Sequence, residues 1–140
     1  MGYALGIPVA AILAMLGLLH VAWACGLGRG ALRLTIPEVG ARPAFAPTPL
    51  ITLAVAAGLF AGLAVVLGRL ELWGDFLPRR LFGAATWALA AVFLLRAIGE
   101  FRLVGFFKRI RDTLFARWDT RLYSPLCLAI ALALVGVALS

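Results

Sequence analysis

Four long apolar runs, separated by short polar segments, dominate the pattern of this 140-residue chain. A helix of about 20 apolar residues crosses a bilayer core of roughly 30 Å. The pattern predicts transmembrane helices over residues 7–27, 49–68, 81–101 and 123–139. Thr48 and Ser124 each precede a proline, which is typical of an N-cap residue followed by the first helical position. The predicted fold is a single all-α domain, a bundle of four transmembrane helices.

Charged residues are concentrated between the third and fourth runs, from Leu94 to Leu126. Seven of the thirteen Lys/Arg and three of the six Asp/Glu lie in this stretch. Between Gly105 and Thr120, four apolar residues recur at spacings of three and four: Phe107, Ile110, Leu114 and Trp118. Because the basic residues fall largely on the other side, the pattern predicts an amphipathic helix. It would lie in the membrane interface or pack across the mouth of the bundle.

The composition favours a membrane protein over a soluble one. Hydrophobic residues make up 64% of the chain and the mean hydropathy is +1.07, whereas a soluble domain is roughly 45–50% apolar. The net charge of +7 therefore indicates loops that face anionic lipid headgroups, and no nucleic-acid partner is expected. Membrane lipids are the expected partners, and a homo-oligomer or a larger membrane complex fits the same pattern.

The distribution of basic residues predicts the orientation of the helices. In a four-span chain, the first loop (Gly28–Thr48) and the third loop (Phe101–Tyr123) lie on the same side of the membrane. With Arg96 included, ten of the thirteen Lys/Arg lie on that side, and the other three lie opposite. The positive-inside rule then places both termini outside the cytoplasm.

Arg96 and Glu100 are the charged residues at the inner end of the third run. They are one helical turn apart and would share a face. Since a charge at mid-bilayer costs about 2.5–3.5 kcal/mol on insertion scales, we expect the pair to face inward and to meet His20 or its neighbours. One interpretation is a clamp for an anion or a headgroup, in which Glu100 orients Arg96 or acts as an acid/base. The other is a structural ion pair.

Other polar side chains are predicted at the same end of the bundle. His20 could shuttle protons or donate to Glu100, and Asp119 could cap the fourth helix or pair with Arg121 or Arg102. With one histidine and no close ligand spacing, we expect no metal site and no cofactor, and we expect reduced thiols at Cys25 and Cys127. The candidate ligand-binding residues are His20, Trp23, Arg96, Glu100, Arg102, Asp119 and Tyr123. The candidate catalytic residues are His20 and Glu100.

The two halves of the chain match at an offset of 76 residues. Thr48-Pro49-Leu50 aligns with Ser124-Pro125-Leu126, and Leu18-Leu19-His20 aligns with Leu94-Leu95-Arg96. A duplicated helical hairpin would explain this correspondence. Independent use of the same helix-start chemistry is the other explanation.

Several short segments resemble a family of small bacterial membrane proteins known as domain of unknown function 3995. They are Leu19-His20 with Trp23-Ala24, Leu95 to Arg102, Gly105 to Lys108, and Tyr123 to Cys127. The resemblance covers nearly the whole chain, and Arg96 to Lys108 is its most specific part. It implies a four-helix protein of the bacterial inner (cytoplasmic) membrane and supplies no activity.

The leading functional hypothesis is a binding protein. It would hold an amphiphile, such as a lipid or isoprenoid with an anionic head, in an intramembrane pocket near the cytoplasmic face. One alternative is a membrane enzyme that acts on such a ligand, with His20 or Glu100 as acid/base. Another is a proton-coupled transporter or an accessory subunit of a larger complex.

Overall fold

Four long helices form the body of the protein. The structure, a computed structural model, describes residues 2–28, 30, 32–40 and 42–140, with Leu32 and Arg33 described by their backbone alone. The long helices are α1 (Gly2–Ala24), α3 (Pro49–Arg69), α4 (Arg79–Ile98) and α6 (Ser124–Leu139), and the short ones are α2 (Leu32–Thr35) and α5 (Leu114–Trp118). Two short strands, β1 (Glu38–Val39) and β2 (Arg42–Pro43), pair antiparallel in the first loop. Arg29 and the side chain of Arg33, which were counted in the basic charge of this loop, lie outside the described residues.

The long helices pack in two pairs. α1 lies along α3 and α4 lies along α6, while α1 with α6 and α3 with α4 make smaller contacts. A buried apolar cluster joins all four helices, and its members include Val9, Leu13, Val66, Phe93, Ile130 and Leu134. Residues 114–139 form a continuous helical span, and among the described residues four helices are long and apolar enough to cross a membrane. The coarse prediction of an all-helical chain with four such helices is confirmed.

The ends of the first two long helices differ in how well they match the sequence pattern. Thr48 caps α3 as predicted, because its side chain accepts from the backbone N–H of Ile51 and Pro49 follows in the first turn. α1, in contrast, spans Gly2–Ala24, whereas the predicted helix covers residues 7–27, so Pro8 lies inside the observed helix and not in its first turn. Because proline lacks an N–H, Pro8 removes one backbone hydrogen bond from the interior of α1.

Ser124 does not cap a helix start, contrary to the prediction. Its backbone is helical, and the chain passes from α5 into α6 through a π-helical turn, Asp119–Tyr123. Pro125 is the second residue after this turn and cannot donate to the carbonyl of Arg121, with which its ring would clash in a regular α-helix. Proline and π turns are both sites at which helices depart from regular α-helical geometry. The Ser124 hydroxyl donates to Oδ2 of Asp119 in this turn at 3.1 Å.

The amphipathic helix predicted between Gly105 and Thr120 does not form before Leu114. Residues 99–113 have no regular secondary structure, and only residues 114–120 of the predicted stretch are helical. Lys108, which was placed on the polar side, is buried, and Phe107 is 61% exposed. The helical spacing of the apolar residues therefore gave a wrong prediction here. Tertiary contacts determine which side chains of this segment are buried.

Candidate functional site

Asp119 in the π turn is the centre of a buried polar cluster. Its side chain is fully buried, and its Oδ1 accepts from Nη2 of Arg96 at 2.8 Å. Its Oδ2 accepts from the backbone N–H of Gly105 at 2.8 Å, from Nζ of Lys108 at 3.0 Å and from the hydroxyl of Ser124 at 3.1 Å. These contacts join α4, the third loop and the start of α6 at one carboxylate.

Lys108 is the second fully enclosed member of this cluster. Besides Asp119, its Nζ contacts the carbonyl of Gly105 at 2.9 Å and the Thr120 hydroxyl at 2.6 Å. An ammonium group has three donors, and all three have partners here. Lys108 therefore fixes the third loop against the π turn. The set Arg96, Gly105, Lys108, Asp119, Thr120 and Ser124 is called the Asp119 cluster below.

The chain reverses its direction at the start of the third loop, and this turn brings Gly105 to the carboxylate of Asp119. Gly99 and Gly105 both have φ of +88°, and the N–H of Phe106 donates to the last-turn carbonyl of Ala97 at 2.8 Å. A side chain on either glycine would collide with the backbone around the other. The close approach of the two glycines therefore requires residues without a Cβ atom.

The Asp119 cluster contains two cationic side chains and one carboxylate. Among the described residues, Nη1 of Arg96 has no hydrogen-bond partner although it is buried from solvent. Removing the Asp119 carboxylate would leave both cationic side chains uncompensated in a low-dielectric environment, which is strongly destabilising. The carboxylate itself accepts from four donors, so its geometry suits the positioning of backbone and side chains more than proton transfer.

Arg96 and Glu100 do not form the predicted pair. α4 ends at Ile98, two residues before Glu100, so the two side chains do not share a helical face. Glu100 is exposed, and its carboxylate accepts from the backbone N–H of Leu103. Arg96 turns instead to Asp119. The prediction assumed that the third helix continues to Phe101, whereas Gly99 stops it.

A separate cleft of about 610 Å³ opens between the end of α1, the first loop and the start of α3. Its apolar lining includes Trp23, Leu27, Ile36, Phe45, Pro47, Ile51 and Val55, and its polar side chains are His20, Thr35, Glu38 and Thr52. Clefts of roughly 300–1,000 Å³ with apolar walls and a few polar groups are typical of small-molecule sites. The cleft is therefore the candidate binding site of this protein.

His20 is held in a defined orientation in the cleft wall. Its Nδ1 lies 2.8 Å from the carbonyl oxygen of Leu16, one turn earlier in α1. Because a carbonyl only accepts, this contact requires the proton on Nδ1 and leaves Nε2 as the acceptor of a neutral ring. The ring packs edge-on against Trp23, with centroids 4.9 Å apart. The cleft thus contains an oriented imidazole beside an indole.

The other predicted ligand-binding residues are divided between different places. Arg96 and Asp119 belong to the Asp119 cluster, and Arg102 is exposed on the third loop. The hydroxyl of Tyr123 donates to the carbonyl of Leu34 at 3.2 Å, which joins the π turn to the first loop. Only His20 and Trp23 line the cleft.

The family model described as "Protein of unknown function (DUF3995)" matches residues 13–134 of the chain. The chain belongs to DUF3995. Comparison with curated proteins and with solved structures gave no match. The DUF3995 match includes every member of the Asp119 cluster and every side chain of the cleft.

Cys25 and Cys127 are the two cysteines of the chain. Within the described ranges, no three His, Cys, Asp or Glu side chains are grouped in a way that could hold a metal ion. Cys25 is exposed, Cys127 is half-buried, and both are free thiols.

Proposed function

We propose that this DUF3995 protein is a multi-pass protein of the bacterial inner membrane that binds an amphiphile, such as a lipid or isoprenoid with an anionic head. The observation that carries the proposal is the cleft beside His20 and Trp23. It lies between two helices that are long and apolar enough to cross a membrane, at the end of the bundle where α1 ends and α3 begins.

The outward surface of the helices supports placement in a membrane. Between 17% and 28% of the residues in the apolar part of each span are buried inside the protein. Large apolar side chains are exposed on each long helix, for example Leu18, Leu50, Val92 and Leu132. Lipid is the solvent that removes the cost of exposing so much apolar surface.

The lining of the cleft suggests how an amphiphile would lie. The walls are mainly apolar and suit an acyl or isoprenoid chain. We propose that the anionic head of the amphiphile interacts with basic residues of the loops. Tyr123 joins the third loop, which carries exposed arginines, to the first loop at this end of the bundle.

The same basic residues support the proposed orientation. The first and third loops meet through the Tyr123–Leu34 contact and through packing of α2 on α5. The side of the membrane with more Lys and Arg in short loops is usually the cytoplasm. The cleft would then open near the cytoplasmic face, and both termini would lie outside the cytoplasm.

Native mass spectrometry of gently extracted protein tests the binding proposal. Val55 lines the cleft, and Leu53 lies on the same helix outside it, with 46% and 44% of their surfaces exposed. We expect a defined adduct on the wild type and on Leu53→Trp, and its loss in Val55→Trp, where the indole fills the cleft. A wild type without an adduct, or an adduct that survives Val55→Trp, would contradict the proposal.

A membrane enzyme acting on the same ligand is the second candidate. The orientation of His20 favours it, because an imidazole whose Nδ1 is fixed on a carbonyl presents Nε2 as a base. Glu100 lies outside the cleft and has no place in this candidate. We expect His20→Gln to keep the adduct but to change its mass from product to substrate if the protein is an enzyme. An unchanged adduct mass would leave binding as the function.

A further inference from the structure

Five arginines of the third loop and its helix are exposed: Arg102, Arg109, Arg111, Arg117 and Arg121. Arg111 donates to the carbonyls of Lys108 and Phe106. The other four make no side-chain hydrogen bond or ion pair with the part of the chain that the structure describes. Asp119, the buried acid of this segment, is already occupied by Arg96 and Lys108. The exposed cations therefore exceed the exposed acids, Glu100 and Asp112.

Large apolar side chains are exposed among these arginines. Phe101, Phe107, Trp118 and Leu122 have between 43% and 61% of their surfaces exposed. The rings of Phe101 and Phe107 lie 6.3 Å apart. Trp118 and Leu122 are four residues apart in the helical stretch, as are Arg117 and Arg121, so each pair is neighbouring on the helix surface.

Backbone hydrogen bonds fold the segment that carries these side chains. The carbonyl of Arg102 accepts from the N–H groups of Arg109 and Ile110 at 3.2 and 3.0 Å, which brings Arg102 beside Arg109. The Asp119 cluster fixes both Gly105 and Lys108 within this loop. Exposed arginine and large apolar side chains are thus carried by one segment of the chain, and they are called the arginine surface: Arg102, Arg109, Arg111, Arg117 and Arg121 with Phe101, Phe107, Trp118 and Leu122.

We infer that the arginine surface binds the phosphate headgroups of anionic phospholipids. Basic side chains near a membrane surface attract anionic lipid, while aromatic residues insert at headgroup depth. Guanidinium groups also hydrogen-bond phosphate oxygens in bidentate fashion. The inference rests on the proposed membrane placement but not on the cleft, and it assigns lipid selectivity to one end of the bundle.

The opposite end of the bundle provides a natural control. There, Arg79 pairs with Glu71 at 2.5 Å and Arg69 donates to the carbonyl of Ala138 at 3.4 Å. Trp73 at this end is 42% exposed, almost the same fraction as the 43% of Trp118. The two tryptophans therefore report on lipid at the two ends with comparable access.

Quenching of tryptophan fluorescence by brominated lipids tests the inference. One protein keeps only Trp118 (Trp23→Phe, Trp73→Phe, Trp87→Phe), and the other keeps only Trp73. Each is placed in bilayers that contain brominated phosphatidylglycerol or brominated phosphatidylcholine. At Trp118 we expect phosphatidylglycerol to bind about 5-fold more tightly than phosphatidylcholine. This factor corresponds to the effect of roughly one arginine at a membrane surface. At Trp73 we expect little preference.

The charge dependence completes the test. Arg117→Gln with Arg121→Gln should remove most of the preference at Trp118, whereas Arg79→Gln with Arg80→Gln should leave it unchanged. Equal preference at both tryptophans, or a preference at Trp118 that survives Arg117→Gln with Arg121→Gln, would overturn the inference. Absence of quenching at both positions would overturn the membrane placement as well.

If a single-tryptophan protein does not fold, native mass spectrometry replaces the quenching measurement. The wild type and the arginine variants are released from mixed-lipid nanodiscs, and the amounts of phosphatidylglycerol that they retain are compared.

Discussion

Arg96 of α4 donates to Asp119 of the π turn across 2.8 Å, although the two residues are 23 positions apart in the chain. Together with Lys108, this contact joins the pair of helices α4 and α6 to the third loop. Asp119 and Lys108 are buried while Arg96 is partly exposed. The three residues therefore should not contribute equally to stability, and their ranking can be measured.

Asp119→Asn should be the most damaging change in the Asp119 cluster. It leaves Arg96 and Lys108 without a buried counter-charge, which costs about 3–5 kcal/mol in comparable settings. Arg96→Met should cost less, because Lys108 still balances Asp119 at 3.0 Å. Thermal unfolding in detergent, followed by tryptophan fluorescence, gives the ranking. Glu100→Gln is the control and should change little, and a loss equal to that of Asp119→Asn would refute this assignment.

Double-mutant cycles should show that Arg96 is coupled to Asp119 and not to Glu100. The loss for Arg96→Met with Asp119→Asn should be smaller than the sum of the single losses, because the two side chains interact. Arg96→Met with Glu100→Gln should be additive within about 0.3–0.5 kcal/mol. Strong coupling between Arg96 and Glu100 would instead support the ion pair within one helix that the sequence alone predicts.

Gly99→Ala should destabilise the protein, and Gly83→Ala should not. Gly99 has φ of +88° and its Cβ would meet backbone atoms of Val104 and Gly105, whereas a Cβ on Gly83 would meet nothing within 4 Å. A strained backbone conformation of this kind costs about 1–3 kcal/mol, while alanine in a helix interior gains about 0.5–1 kcal/mol over glycine. Unfolding midpoints of the two variants measured side by side should move in opposite directions. A Gly99→Ala protein as stable as the wild type would contradict the described reversal of the chain.

Single-cysteine labelling should place the first and third loops in the cytoplasm. After Cys25 and Cys127 are replaced by serine, a cysteine is introduced at Phe45, Arg117 or Trp73, all of which are exposed. A membrane-impermeant reagent added to intact cells with a permeabilised outer membrane should label the Trp73 position alone. Labelling at Phe45 and Arg117 without labelling at Trp73 would reverse the orientation.

The parts of this structure that depend on local pattern could be predicted from the sequence. Apolar runs of sufficient length identified four helices, and Thr48-Pro49 identified the start of α3. The predicted end of the third helix was wrong, although Gly99 carried a usable signal, since glycine is frequent just beyond a helix C-terminus. Ser124-Pro125 was wrongly predicted to start a helix, because the same dipeptide can also follow a π turn within a continuous helical span.

The Asp119 cluster and the cleft could not be derived in the same way. Lys108 is buried because Gly105, Asp119 and Thr120 surround its amine, and such a set is brought together by the fold and not by a period. Asp119 was a candidate, but its partners were expected to be Arg121 or Arg102. His20 and Trp23 were also candidates, whereas Ile36 and Phe45 of the first loop, which complete their cleft, were not among the candidate binding residues.

The duplicated hairpin remains a prediction. At the offset of 76 residues, Arg96 corresponds to His20, but the two ends differ in use. Arg96 binds Asp119 within the second half, while His20 binds its own helix and faces the cleft. If the halves share an origin, they have diverged into one closed polar cluster and one open site.

Photocrosslinking from the cleft wall tests ligand binding most directly. A benzophenone amino acid replaces Ile51, which lines the cleft, or Leu53, which lies on the same helix outside it. After irradiation of living cells, mass spectrometry identifies the attached molecule. We predict one defined amphiphile at position 51 and the mixed phospholipids of the bulk membrane at position 53. The same mixture of phospholipids at both positions would contradict the account.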